Sequence, residues 1–146
     1  MASDVSLTVN LGGRSSLPEG LILRSVEQTL SDQGIDVAEI SITLLDDADI
    51  ERMNRDYLGR DRPTDVIAFS LGDAGRVLGD VYVGFDQAVR QADDVGVAIE
   101  EELVRLTIHG VLHVLGHDHP EGPERMESPM FSLQERLVRG VLDDAD

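Results

Sequence analysis

Cysteine is absent from this 146-residue chain. Neither a disulfide framework nor a thiolate metal site can therefore be built. Lysine is absent as well: all twelve basic side chains other than histidine are arginines, set against 29 acids for a formal net charge of −17. That balance argues against a broadly cationic surface of the kind that coats nucleic acid. No apolar run reaches the roughly 18 residues that a membrane span needs, and Met1-Ala2-Ser3-Asp4 lacks the basic region and apolar core of a signal peptide. The expectation is one domain over residues 1–146, in the cytoplasm, long enough to bury roughly 68–70% of its unfolded surface.

Histidine is missing from most of the chain and concentrated in one place. All four lie in His109-Gly-Val-Leu-His113-Val-Leu-Gly116-His117-Asp118-His119. Imidazoles at i and i+4 stand one above the other on a helix face, so His109 and His113 can address a common point. Gly116 can take the left-handed conformation that ends a helix and lets the chain turn back, bringing His119 to the same point. Three imidazoles without cysteine suit one Zn²⁺ and leave a fourth position for water, the arrangement of a catalytic site. The flanks favour a buried helix: Ile99, Leu103, Val104, Leu106, Ile108, Val111, Leu112, Val114 and Leu115 point around most of its circumference. His117, in the turn, is expected to face solvent or stand behind the ligands. The spacing H-x-x-x-H-x-x-G-x-x-H is also that of metzincin proteases, whose general-base glutamate follows the first histidine; here that position is Gly110.

His109-Gly110-x-Leu112-His113-x-x-Gly116-x-Asp118-His119 resembles the signature H-G-x-L-H-L-x-G-Y-D-H of the YbeY family of bacterial endoribonucleases, the rRNA maturation factors. Met53-Asn54-x-x-Tyr57 followed by Asp61-x-Pro63-Thr64-Asp65-Val66-Ile67-x-Phe69 is similar to that family's N-x-x-Y-R-x-K-D-x-P-T-D-V-L-S-F, and Gly79-Asp80-Val81-Tyr82-Val83 to its G-D-I-x-I strand. The likeness runs from about Asp47 to Leu137. It implies a zinc-dependent endoribonuclease acting on single-stranded RNA, with the small-subunit ribosomal RNA near its 3′ end as substrate and ribosome-assembly factors as partners. The chain departs from the pattern at Leu58, where the family carries an arginine thought important for activity. It departs again at Arg60 in place of lysine, at Gly84 where serine is common, and at His117 in place of tyrosine.

The acidity of the chain requires a local source of positive charge. Arg52, Arg55, Arg60 and Arg62 crowd into residues 52–62 against only Asp56 and Asp61. With a screening length of ~8 Å at physiological salt, such a patch can hold RNA despite distant acids. Arg52 and Arg55 read as partners of neighbouring carboxylates on a solvated helix. Arg60 and Arg62, in the loop before Pro63, are the RNA-binding candidates, and Arg60, with Arg62 as the alternative, is the candidate for countering charge during phosphodiester cleavage by a zinc-bound hydroxide or a ribose 2′-hydroxyl. Asp118 has two readings: it orients an imidazole or accepts a proton, or it caps its own turn.

Periodicity predicts strands over Val5–Leu11, Glu39–Leu45, Val66–Leu71 and Val77–Phe85, the last two joined as a hairpin by turn residues Gly72-Asp73-Ala74-Gly75. It predicts helices over Pro18–Gly34, from Asp46 to about Tyr57, and near Asp86–Asp94, Ala98–Leu115 and Pro123–Leu142, with a frayed tail from Asp143. The fold class is α+β: a four-stranded mixed sheet, about five helices, and a metzincin-like histidine helix on one sheet face. Two other readings of the function stay open, a ribosome-assembly factor with a structural metal and a zinc hydrolase acting on another bond such as an amide.

Overall fold

The computed structural model describes residues 4–72, 76–120 and 122–144. Its elements run β1 (Asp4–Asn10), α1 (Glu19–Asp32), β2 (Val37–Leu45), α2 (Asp47–Leu58), β3 (Val66–Ser70), β4 (Val77–Gly84), α3 (Phe85–Val95) and α4 (Ile99–Val114). A 3₁₀ helix (Pro123–Glu127) and α5 (Pro129–Asp144) follow. The sheet order is β1-β2-β4-β3, with β1, β2 and β4 parallel and β3 antiparallel to β4. The α+β class, the mixed four-stranded sheet and the five α-helices are those expected. Asp73, Ala74 and Gly75 of the expected hairpin turn lie outside the described residues.

Alternation within β2 sets the layering: Ala38, Ile40, Ile42 and Leu44 are buried on one face, while Glu39 and Ser41 lie on the other. Helix α4 covers the buried face and is enclosed on both sides. Leu103, Leu106, Val111 and Val114 join the sheet-side core with Ile40, Ile42, Val81 and Val83. Val104, Ile108 and Leu112 meet Met130, Leu137, Val138 and Val141 of α5. At ~1.5–3 kcal/mol for each large apolar side chain removed from water, this double burial anchors α4 more firmly than any intrinsic helical preference.

Two glycines set how closely α4 approaches the sheet. A Cβ at Gly110 would stand 2.4 Å from Cγ1 of Val81, and one at Gly79 would stand 2.5 Å from Cγ1 of Val114. The residue after the first histidine therefore faces β4. A glutamate there would have the sheet, not a substrate, in front of it.

The last predicted helix is two elements. Pro129 disfavours helical geometry at the preceding residue, and Ser128 is extended, with φ −76° and ψ 153°. The Ser128 hydroxyl accepts the backbone N–H of Phe131 at 3.2 Å, giving α5 a new start. At the other end α5 continues through Asp143 and Asp144, which sequence reading placed in a frayed tail.

Candidate metal centre and its cleft

Helix α4 ends in the motif that its sequence foreshadowed. Gly116 takes φ +98°, its N–H reaches the carbonyl of His113 at 3.0 Å, and the N–H of His117 reaches that of Leu112 at 2.9 Å. This paired closure reverses the chain within one turn. It returns His119 to the face of α4 that carries His109 and His113, with ring centroids 4.6 to 5.1 Å apart. One nitrogen from each of the three rings lies within 4.8 Å of the others, so His109, His113 and His119 can hold a metal ion.

The remaining ring nitrogens are tied back to the protein. Nδ1 of His109 donates to Oε1 of Gln134 at 2.6 Å, and Nδ1 of His119 donates to the carbonyl of Pro120 at 3.0 Å. His113 is held by the backbone of His117. Nε2 of His109 and Nε2 of His113 approach to 3.1 Å across the centre. A metal-bound imidazole needs this arrangement, one nitrogen fixed by an acceptor and the other turned to the ion as a lone pair. Protonation states agree with it. Burial, with a smaller opposing effect from the Gln134 bond, pushes His109 down to about 4. Burial and the neighbouring His119 lower His113 as well. Both rings are neutral donors at neutral pH, so the donor set suits a divalent ion such as Zn²⁺.

Beside the histidines lies a cavity of about 310 Å³, open to solvent, bordered by Arg60, Arg62, Asp65, Gly122 and Arg125. Sequence reasoning chose Arg60 and Arg62, and the fold brings both to the histidines. Asn54, 1% exposed, donates to the carbonyl of Arg62 at 2.9 Å and so anchors the loop to α2, which Gly59 closes at φ +70°. Arg52 and Arg55 stay outside the cavity and pair with Asp49 and with Asp56 and Asp61, as their setting on a solvated helix implied.

Two residues of the histidine turn take other roles. The carboxylate of Asp118 accepts the backbone N–H of His119 at 2.8 Å, which is the turn-capping reading; the acceptor for His109 is Gln134 instead. His117 is half-buried, with Nε2 2.7 Å from Oε1 of Gln33, and ties the end of α4 to the end of α1 instead of facing solvent.

Gln134 and Arg125 escaped the sequence reading. Gln134 left a signal: it is the polar member of the buried face Met130, Gln134, Leu137, Val138, Val141 of α5. Arg125 left none. It reaches the cleft only because the 3₁₀ helix folds over it, and its charge acts on both His109 and His113.

An α+β domain that presents three convergent imidazoles at the end of a buried helix, beside an arginine-lined cleft, has the build of a metal-dependent hydrolase. The chain belongs to the endoribonuclease YbeY family, whose model matches residues 16–141. It is 39% identical to Endoribonuclease YbeY of Persephonella marina over 142 residues, spanning 94% of this chain and 92% of that one. It is 45% identical to the Roseiflexus castenholzii protein of the same name over 132 residues, 84% of this chain and 82% of that one. Among solved structures, the solution structure of TM1509 from Thermotoga maritima superposes with a TM-score of 0.66 at 29% identity, covering 96% of this chain and 90% of its own.

Proposed function

We propose that this chain is a zinc-dependent endoribonuclease that cleaves single-stranded RNA, with the 3′ end of 16S ribosomal RNA and defective ribosomes as its cytoplasmic substrates and ribosome-assembly factors as its partners. The observation that carries the proposal is the joining of two features in one cavity: three imidazoles turned to a common point, and Arg60, Arg62 and Arg125 around them. A single bound ion would be held by His109, His113 and His119, and it supplies Lewis acidity toward a phosphate oxygen or a water molecule. Arg60, Arg62 and Arg125 draw the phosphodiester into the cavity and counter the charge that grows on it as the bond breaks. Gln134 keeps the His109 ring in the tautomer and orientation that ligation needs. Asp118 preserves the turn that presents His119.

The open cavity beside the histidines favours catalysis over a closed structural metal site. The position of Gly110 against β4 weighs against amide hydrolysis by a metzincin-type glutamate. The test is a labelled RNA with single-stranded segments, incubated with zinc-loaded protein. Cleavage that is lost in His113→Ala and with chelator supports the enzyme. Binding without cleavage would favour a non-cleaving assembly role, in keeping with the loss of the family arginine at Leu58, and turnover of casein would favour an amide hydrolase.

A further inference from the structure

A second cavity of about 550 Å³ adjoins the histidine centre, and Asp65, His109, Gly122 and Arg125 border both. Its apolar wall is Val95 at the end of α3, Val97 just beyond that helix, Leu106 of α4, Met126 of the 3₁₀ helix and Phe131 of α5. Val95 and Met126 at its mouth are 67% and 66% exposed, a large apolar surface to leave in water. We propose that this cleft is a nucleobase subsite: it takes the base of one nucleotide of the single-stranded RNA whose phosphate lies at the histidines. This rests on the RNA-cleaving reading above and adds the part of the substrate that the metal centre does not touch.

Continuity argues for this occupant. Arg125 stands on the boundary of the two cavities, placed to meet a phosphate on one side while the attached nucleoside extends into the other. The volume lies in the range of small-molecule sites and accommodates a nucleoside. Phe131 contributes an aromatic ring to the lining and Met126 and Val95 contribute apolar contact, the kinds of side chain on which unpaired bases are commonly held. The acids of the cleft do not oppose it. Arg105 bonds Glu135 through Nε and one terminal nitrogen at 2.8 and 3.0 Å, Glu102 at 2.8 Å and Glu101 at 2.9 Å. Asp65 accepts from Gln91 at 3.2 Å, and Gln134 is engaged by both His109 and Glu135. With these polar groups committed to one another, the cleft reads a base by its face and not by its edge. Discrimination among the four bases is accordingly weak.

The test uses the zinc-loaded full chain with methyl groups followed by NMR, titrated with adenosine 5′-monophosphate and separately with ribose 5-phosphate, which has the phosphate and lacks the base. Adenosine monophosphate should shift the methyls of Val95, Val97 and Met126 saturably and bind at least about fivefold more tightly than ribose 5-phosphate, the lower end of what base stacking supplies. Met126→Glu, at an exposed position, should remove that advantage and leave zinc content and circular dichroism unchanged. Equal binding of the two probes, or methyls that do not move, overturns the proposal. Methyls that shift only as protein concentration rises would assign the cleft to a second copy of this chain and overturn it too. RNA cleavage is scored in its own assay, so its absence counts against the endoribonuclease and the methyl shifts still judge the cleft.

Discussion

Nδ1 of His109 and Oε1 of Gln134, 25 positions apart, meet at 2.6 Å in a buried hydrogen bond. The direction of that bond is set one residue further on: Nε2 of Gln134 donates to Glu135 at 3.0 Å, so its oxygen faces the imidazole. Glu135 is in turn held by Arg105. A line of polar groups thus runs from the ion pairs of α4 and α5 to Nδ1 of His109, the ring nitrogen turned away from the candidate metal centre.

Breaking this line should weaken the metal site before it harms the fold. Gln134→Ala should reduce zinc affinity about 10–100-fold, the usual cost of losing the acceptor behind a ligating imidazole. The orphaned Nδ1–H also costs about 1–3 kcal/mol of stability. Gln134→Glu keeps an acceptor and should retain most of the affinity. Competition with a chromophoric chelator measures both, and equal affinity in wild type and Gln134→Ala would refute the role.

Arg60→Ala and Arg125→Ala should each slow RNA cleavage without releasing zinc. If both contact phosphate, the slope of log affinity against log salt should fall by about 0.7 for each. A cleavage rate and salt slope unchanged in Arg125→Ala would remove that residue from the substrate path.

Gly110→Ala tests how α4 is seated. The new methyl meets Val81 and Val66, and overpacking of this kind costs about 1–3 kcal/mol. At about 2–4 °C per kcal/mol for a chain of this size, the melting temperature should drop by several degrees. An unchanged melting temperature by calorimetry would show that the sheet yields at no cost.

The stability of the protein at acid pH should depend on Glu135. Burial alone raises its pKa, but the hydrogen bonds from Arg105 and Gln134 and the charge of Arg105 outweigh burial, leaving the carboxyl below its usual 4.5. A carboxyl whose folded-state pKa lies under its unfolded one adds stability that is complete above the unfolded value and disappears as pH falls through the folded value. Between about pH 5 and 3, denaturation curves of Glu135→Gln should therefore change less with pH than those of wild type. Parallel pH profiles would show that the ion pair contributes nothing to folding.

Much of the candidate site is a matter of local chain geometry and could be read from residue order. His109 and His113 share a helix face because four residues make about one turn, and Gly116 reverses the chain because it lacks a Cβ. The same holds for the alternating strand β2 and for the helix start at Asp46, whose carboxylate accepts the N–H of Asp49. The break at Ser128-Pro129 was also present in local sequence, as a serine cap before a first-turn proline, but the apolar period running across it concealed it.

Other features arise only when distant segments dock. Gln134 meets His109 because α5 packs on α4 through Ile108, Leu112, Met130 and Val138, a burial that chooses which faces meet and is invisible to spacing along either helix. Arg60, Arg62 and Arg125 share one cavity because Asn54 pins one loop and the 3₁₀ helix folds over from the opposite side. His117 and Asp118, close in sequence to two of the three candidate metal ligands, turn instead to Gln33 and to the backbone. Residue order alone thus determined the three imidazoles and the turn that gathers them, because those depend on backbone periodicity over eleven residues. Tertiary structure decided what stands behind and beside the imidazoles, because hydrophobic burial acts between faces of elements far apart in the chain and carries their polar residues with it.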